Sequence, residues 1–314
     1  MSRAVKAFSA AALLLAGACS SGGAPANEPT ACDASAGDAA ASPDAGKGLY
    51  GNVTVEIIKD QYTAFLGTFT DGATAPKMAL RARQAQGGCT LYVPNKCAAT
   101  CSAGSVLSAT GGCMREPEPV AVGTLHVTGL GGEARDSEPT PPVYSYQLVP
   151  TLPYPACAEG GAIGVSADGF TLAATCVADL ELTSAVPVPV KSGQAVHLTW
   201  KPPAQAGTTR VQVELEIAHH GGYKGQIDCD VPDTGTLDIP APLVTALVAL
   251  GRAGYPTVKI VRASTGTTAA QPNVALTVVS RLEVEADTGV ISCGAGTSED
   301  CAAGKTCQPD HTCR

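Results

Sequence analysis

VQVELEI, residues 211–217, reads as a β-strand with one buried face. Val211, Val213, Leu215 and Ile217 alternate with Gln212, Glu214 and Glu216, and a side-chain period of two belongs to a pleated strand. Val53, Val55 and Ile57 alternate with Thr54, Glu56 and Ile58 in the same way, and Val274, Leu276 and Val278 share one face of a third run. Similar β-prone runs lie near 62–70, 119–128, 143–149, 170–176, 194–200 and 257–262, broken by Gly, Pro and Asp. Turns at this density predict an all-β chain of stacked antiparallel sheets. One short helix is expected at 242–251, where Pro242 suits a first helical position and Gly251 or Gly254 can end it.

The chain has 314 residues and a formal net charge of −8. No basic patch is evident, which argues against nucleic acid as a partner and against electrostatic binding to anionic lipid. A β domain with a cysteine cluster is expected over 49–180. A boundary falls near 181–192, where valines and prolines alternate ahead of a glycine turn, and a β-sandwich is expected over 181–292. This second half, with Val196, Leu198 and the single tryptophan Trp200, resembles an immunoglobulin-like or fibronectin-like sandwich, although the immunoglobulin Cys-Trp-Cys spacing is absent.

At the start of the chain, Arg3 and Lys6 precede an uncharged run at 7–18, AFSAAALLLAGA, and Cys19 follows directly. A basic beginning, a short apolar run and small residues at the end are the terms of a secretory signal. The run is shorter than the ~20 residues that span a bilayer as a helix. Ala16-Gly17-Ala18-Cys19 resembles the lipobox of bacterial lipoprotein signal peptides. That resemblance implies removal of 1–18, a diacylglyceryl group on the Cys19 sulfur and an acylated amino terminus, a lasting anchor because two or three chains are buried. Ser20, standing where Asp is absent, implies sorting to the outer membrane. Residues 19–48 are Ala, Gly, Ser, Pro and Asp with almost nothing to bury and are expected to form a disordered tether, about 30 Å in r.m.s. span.

Thirteen cysteines in an exported chain predict disulfides. If Cys19 carries lipid, twelve remain. Cys89, Cys97, Cys101 and Cys113 form one group, and Cys293, Cys301, Cys307 and Cys313 form a second that closes the chain as a knot over 293–314. Each group of four allows three connectivities. Cys157 and Cys176 bracket a hairpin-like stretch as a third unit. Cys229 alternates with Ile227 and Val231 and is expected to be a buried free thiol, which leaves Cys32, inside the tether, unpaired, paired with Cys229 or paired with another chain. Zinc is the weaker reading, since only Cys97 and Cys101 have the spacing of a ligand pair. The whole layout resembles cysteine-rich surface lipoproteins of myxobacterial type, a group whose function is mostly unassigned.

Several constellations suggest chemistry. Asp233-Thr234-Gly235-Thr236 and Asp287-Thr288-Gly289 look like the loops of aspartic proteases, in which paired carboxylates activate water. Their 54-residue separation is too short for two lobes, and plain turns explain both. His219 with Asp228 and Asp230 offers ligands for a metal ion, although adjacent histidines on a strand point to opposite faces. Tyr144 and Tyr146 share a strand face and can stack on sugar rings or grip a partner. Gly304-Lys305-Thr306 lacks the upstream glycine of a phosphate loop, and no G-x-S-x-G elbow is present. The reading that follows is a non-catalytic envelope lipoprotein, anchored by Cys19 and without cofactor, that binds a protein or a glycan. The alternative is an envelope hydrolase or metal-dependent enzyme centred on His219, Asp228 and Asp230.

Overall fold

The computed structural model describes residues 48–109, 111–205, 207–294 and 301–314. The signal peptide, Cys19, the tether and Cys32 lie outside the described residues. The chain begins with β1 (Tyr50–Ile58), β2 (Tyr62–Thr70), β3 (Leu80–Gln86), β4 (Cys89–Pro94), β5 (Ser105–Leu107) and β6 (Cys113–Arg115). It continues with β7 (Leu125–Thr128), β8 (Arg135–Ser137), β9 (Tyr146–Gln147), β10 (Leu152–Pro153), β11 (Ala162–Ala167) and β12 (Phe170–Thr175). The second half holds β13 (Val188–Pro189), β14 (Val196–Thr199), β15 (Arg210–Glu216), β16 (Gln226–Pro232) and β17 (Thr236–Ile239). Helix α1 (Ala241–Val248), β18 (Thr257–Thr268) and β19 (Gln271–Asp287) complete it.

The described residues are all-β apart from α1. One large sheet runs β10-β2-β1-β19-β18-β15-β16-β4-β3, with β9 and β13 attached. It draws strands from both sides of the boundary read near 181–192. Its even-numbered positions on β19, Val274, Leu276 and Val278, enter one hydrophobic core, shared with β7, β11 and β12 of a four-stranded sheet. Further along the same face, Val258 and Ile260 of β18 enter a second core with β14, β17 and Leu243, Val244 and Leu247 of α1. The large sheet is therefore one wall of two adjoining sandwiches. Its opposite face carries the polar residues of the alternation.

The alternation reading of 211–217 holds: Val211, Val213, Leu215 and Ile217 are buried. The all-β, mostly antiparallel architecture holds, with one parallel join at its centre: β1 pairs with β19 in parallel, Val53 opposite Leu276. The hairpin to β2 occupies one edge of β1, and the last long strand enters along the other in the same direction. The helix starts at Ala241, after Pro240, and stops short of Gly251. The run near 143–149 shrinks to two residues. Prolines 141, 142, 150, 153 and 155 supply no backbone N–H to a ladder.

Five disulfides are defined. Cys157–Cys176 brackets the β11–β12 hairpin as expected. The terminal group resolves into the interleaved pairs Cys293–Cys307 and Cys301–Cys313. Cys101 pairs with Cys113, and Cys97 is also disulfide-bonded. Cys89 does not pair within its own cluster, and Cys229 is not a free thiol. The two stand directly opposite each other on β4 and β16, both facing the core, and are joined. The sulfurs of Cys293, Cys301 and Cys313 approach one another closely enough for a metal, but disulfide formation has already used all three.

A polar cleft on the open face of the sheet

The β15–β16 hairpin builds the candidate site. Its buried residues point into the second core, so the intervening Gln212, Glu214 and Glu216 face outward beside Asp230, Asp228 and Gln226, their respective partners in register. On the far side of β15, β18 sets Lys259 beside Glu214. On the far side of β16, β4 sets Thr90 beside Asp228 and Tyr92 beside Gln226. Thr90, Tyr92, Gln212, Glu214, Asp228, Asp230 and Lys259 line an open cleft of about 440 Å³.

Glu214 directly opposite Asp228 is an unfavourable cross-strand pair of like charges. Two contacts offset it. The Lys259 ammonium lies 3.2 Å from Glu214 Oε1, and Gln226 Nε2 donates to Asp228 Oδ1 at 2.7 Å. Tyr223 Oη donates in turn to Gln226 Oε1 at 2.9 Å, so a hydroxyl, an amide and a carboxylate form one polarised chain. Burial pushes the Asp228 carboxyl above its ordinary range; the Gln226 hydrogen bond opposes this and Glu214 adds to it. Burial also raises the Tyr223 hydroxyl, helped by the nearby Asp228, Glu216 and Glu214.

Of the three residues read as a metal centre, the cleft gathers two. Asp228 and Asp230 both line it. Asp230 is held by Arg210, whose Nε lies 2.7 Å from its carboxylate. His219 sits beyond the strand end, with Nδ1 3.3 Å from Glu216 and its ring 4.0 Å from that of His220. Among the described residues, these three do not come together as metal ligands.

The tyrosine face is a correction. Tyr146 is fully buried, its hydroxyl accepting from the Val122 N–H at 2.8 Å and its ring set edge-on to Phe69. Tyr144 lies outside β9 with φ of 48°, so the two do not form an aromatic row. The protease-like pair also dissolves. Asp233 is buried, and its two oxygens accept from Trp200 Nε1 at 2.7 Å, Thr209 Oγ1 at 2.8 Å, Arg262 Nε at 2.6 Å and Arg262 Nη2 at 3.3 Å. A carboxylate engaged in this way has no open lone pair for water. Asp287 is exposed and accepts from the Gly289 N–H, the turn read from sequence.

A second hollow, about 510 Å³, lies beside Arg262. Its polar groups are largely paired with one another. Tyr154 donates to Asp179, and that bond, followed by burial, lifts the Tyr154 pKa to about 12. Lys59 meets Glu181 at 3.0 Å. The outer cleft is the better candidate because the free oxygen of Asp228 and the side chains of Tyr92, Gln212 and Thr90 face it.

Sequence reasoning missed Tyr92, Glu214, Tyr223 and Lys259. Tyr92 alternates with the buried Leu91 and Val93, so its outward direction was readable. Its neighbours were not, because they come from strands more than a hundred residues away.

No family model matches the chain, and no curated protein does. Among solved structures, it is similar to the FN1–FN3 domains of chicken CNTN1, with 9% identity and a TM-score of 0.17 over 66% of this chain. The match spans 65% of that chain's length.

Proposed function

We propose that this chain is a lipid-anchored protein of a bacterial outer membrane that binds an envelope or extracellular partner, protein or glycan, without catalysing a reaction. The observation that carries the binding half is the cleft itself: a polar hollow on the open face of a sheet whose other face is packed. Two of its three carboxylates are committed to structural partners, Glu214 to Lys259 and Asp230 to Arg210, and His219 stands apart, so the geometry favours holding over turnover. The anchor half rests on the Cys19 lipobox resemblance. Cysteine number supports it. Ten cysteines form the five defined bridges and Cys97 is oxidised too, so lipid on Cys19 leaves an even twelve for pairing. Among the described residues no helix is long and apolar enough to cross a membrane.

Three experiments test this. Replacing Cys19 with alanine is expected to move the protein from the membrane pellet to the soluble fraction; unchanged sedimentation rejects the anchor. A photo-crosslinking residue placed at Gln212, on the cleft wall, is expected to capture an envelope component in intact cells. Turnover of a substrate that depends on Asp228 rejects the non-catalytic reading.

A further inference from the structure

We infer that the occupant of the outer cleft is a neutral glycan, a step that rests on the binding role proposed above. The cleft mixes polar groups of both kinds. Lys259 and Gln212 offer N–H donors, Asp228 and Glu214 offer acceptors, and the Thr90 and Tyr92 hydroxyls can do either. They stand on four neighbouring strands, β4, β16, β15 and β18. Adjacent strands lie about 4.8 Å apart, an interval comparable to the width of a pyranose ring. Hydroxyls around a sugar ring are both donors and acceptors, and such a row can meet them on either count.

The charges of the cleft are mostly paired off. Lys259 neutralises Glu214, and Arg210 neutralises Asp230. Among the described residues, Asp228 is left as the cleft carboxylate without an ion pair of its own; one oxygen accepts from Gln226 and the other is available. An anionic ligand meets that charge and is repelled. A multivalent cation finds one uncommitted carboxylate, too few hard oxygen ligands for calcium. A neutral hydroxyl donating to Asp228 makes a charge-assisted hydrogen bond without bringing a second charge out of water. Tyr92 adds an aromatic wall of the kind that stacks on the apolar face of a sugar. The volume of about 440 Å³ falls within the usual span of small-ligand sites, about 300–1,000 Å³.

The test uses the full mature chain in a detergent without a sugar headgroup. Saturation-transfer NMR is run with maltose, cellobiose, lactose and chitobiose as probes, and with glucuronate as the charged control. At least one disaccharide is expected to receive saturation, and glucuronate none. Asp228→Asn and Tyr92→Ala are each expected to weaken that disaccharide about tenfold, the scale of one lost polar contact. Asp228→Asn preserves the acceptor for Gln226, so it remains informative should Tyr92→Ala fold poorly. Silence from all four disaccharides, a signal untouched by Asp228→Asn, or equal binding of glucuronate overturns the inference. Capture of an envelope protein at Gln212 alongside silent sugars leaves the binding role standing and rejects the glycan.

Discussion

Arg262 and Asp233 meet at 2.6 Å with both side chains sealed from water. The guanidinium also donates to the carbonyls of Asp179 and Lys201, and Arg262 stands opposite Ser280, whose hydroxyl accepts from the Leu180 N–H. These contacts fix the chain segment that passes between the two cores. Replacing Arg262 with methionine strands the Asp233 charge in the interior. Losing one partner of a buried pair costs about 3–5 kcal/mol. Urea unfolding should show a loss of that size, and adding Asp233→Asn should recover part of it. A loss near zero contradicts the assigned role.

The Cys89–Cys229 bridge closes 140 residues of chain, whereas Cys101–Cys113 closes 12. On the chain-entropy view the first contributes about 5 kcal/mol and the second about 3. Paired alanine substitutions at each bridge, compared by denaturant unfolding, should preserve that order. The reverse order would show that the sheet pairs β4 with β16 without help.

Asp228 has a carboxyl raised above its ordinary value of 3.8, chiefly by burial. The folded state then holds the proton more tightly than the unfolded state. The fold carries no penalty from this group below pH 3.8, and a growing one as the pH rises from there through the raised value. Asp228→Asn should therefore melt higher than the parent at neutral pH, and the gap should close in acid. Melting curves from pH 3 to pH 8 measure it; a gap that widens in acid reverses the sign and refutes the assignment.

Gly266 on β18 lies against the Ala173 carbonyl of β12, where a methyl group would collide with backbone. This is the close approach between the two sheets of the first sandwich. Gly266→Ala should cost about 1–3 kcal/mol, the usual range for overpacking. Gly193→Ala offers a control, since it has open space around it but a left-handed backbone.

Thiol accounting gives another check. With Cys19 lipidated, alkylation of the mature protein in denaturant without reductant should add no mass. One or more labels would contradict the even pairing of twelve cysteines.

Local pattern carried much of the fold. Val211 to Ile217 announced both their strand and its buried face, because alternation is written within seven residues. Partner choice was far less legible. Cys89 sits eight residues from Cys97 in a cluster that invites local pairing, yet its partner is across the sheet on β16. Asp233 looked catalytic by its neighbours Thr234 and Gly235, while Trp200, Thr209 and Arg262, which define its role, arrive from three other segments. Tyr144 and Tyr146 had the right spacing for one face, but the prolines around them broke the strand that would have aligned them. At the cleft, Asp228 and Asp230 were found because they share a strand; Tyr92 and Lys259 come from strands that sequence proximity does not connect to it.

The parallel contact of β1 with β19 sets an order of events. A chain emerging from its amino end produces β1 and its hairpin partner early, but the other neighbour of β1 appears about 220 residues later. Until then the middle of the large sheet is missing and the first core lacks a wall. Assembly is consequently deferred until β19 has been made, and a truncation before it should yield aggregation-prone hairpins in place of a smaller working body.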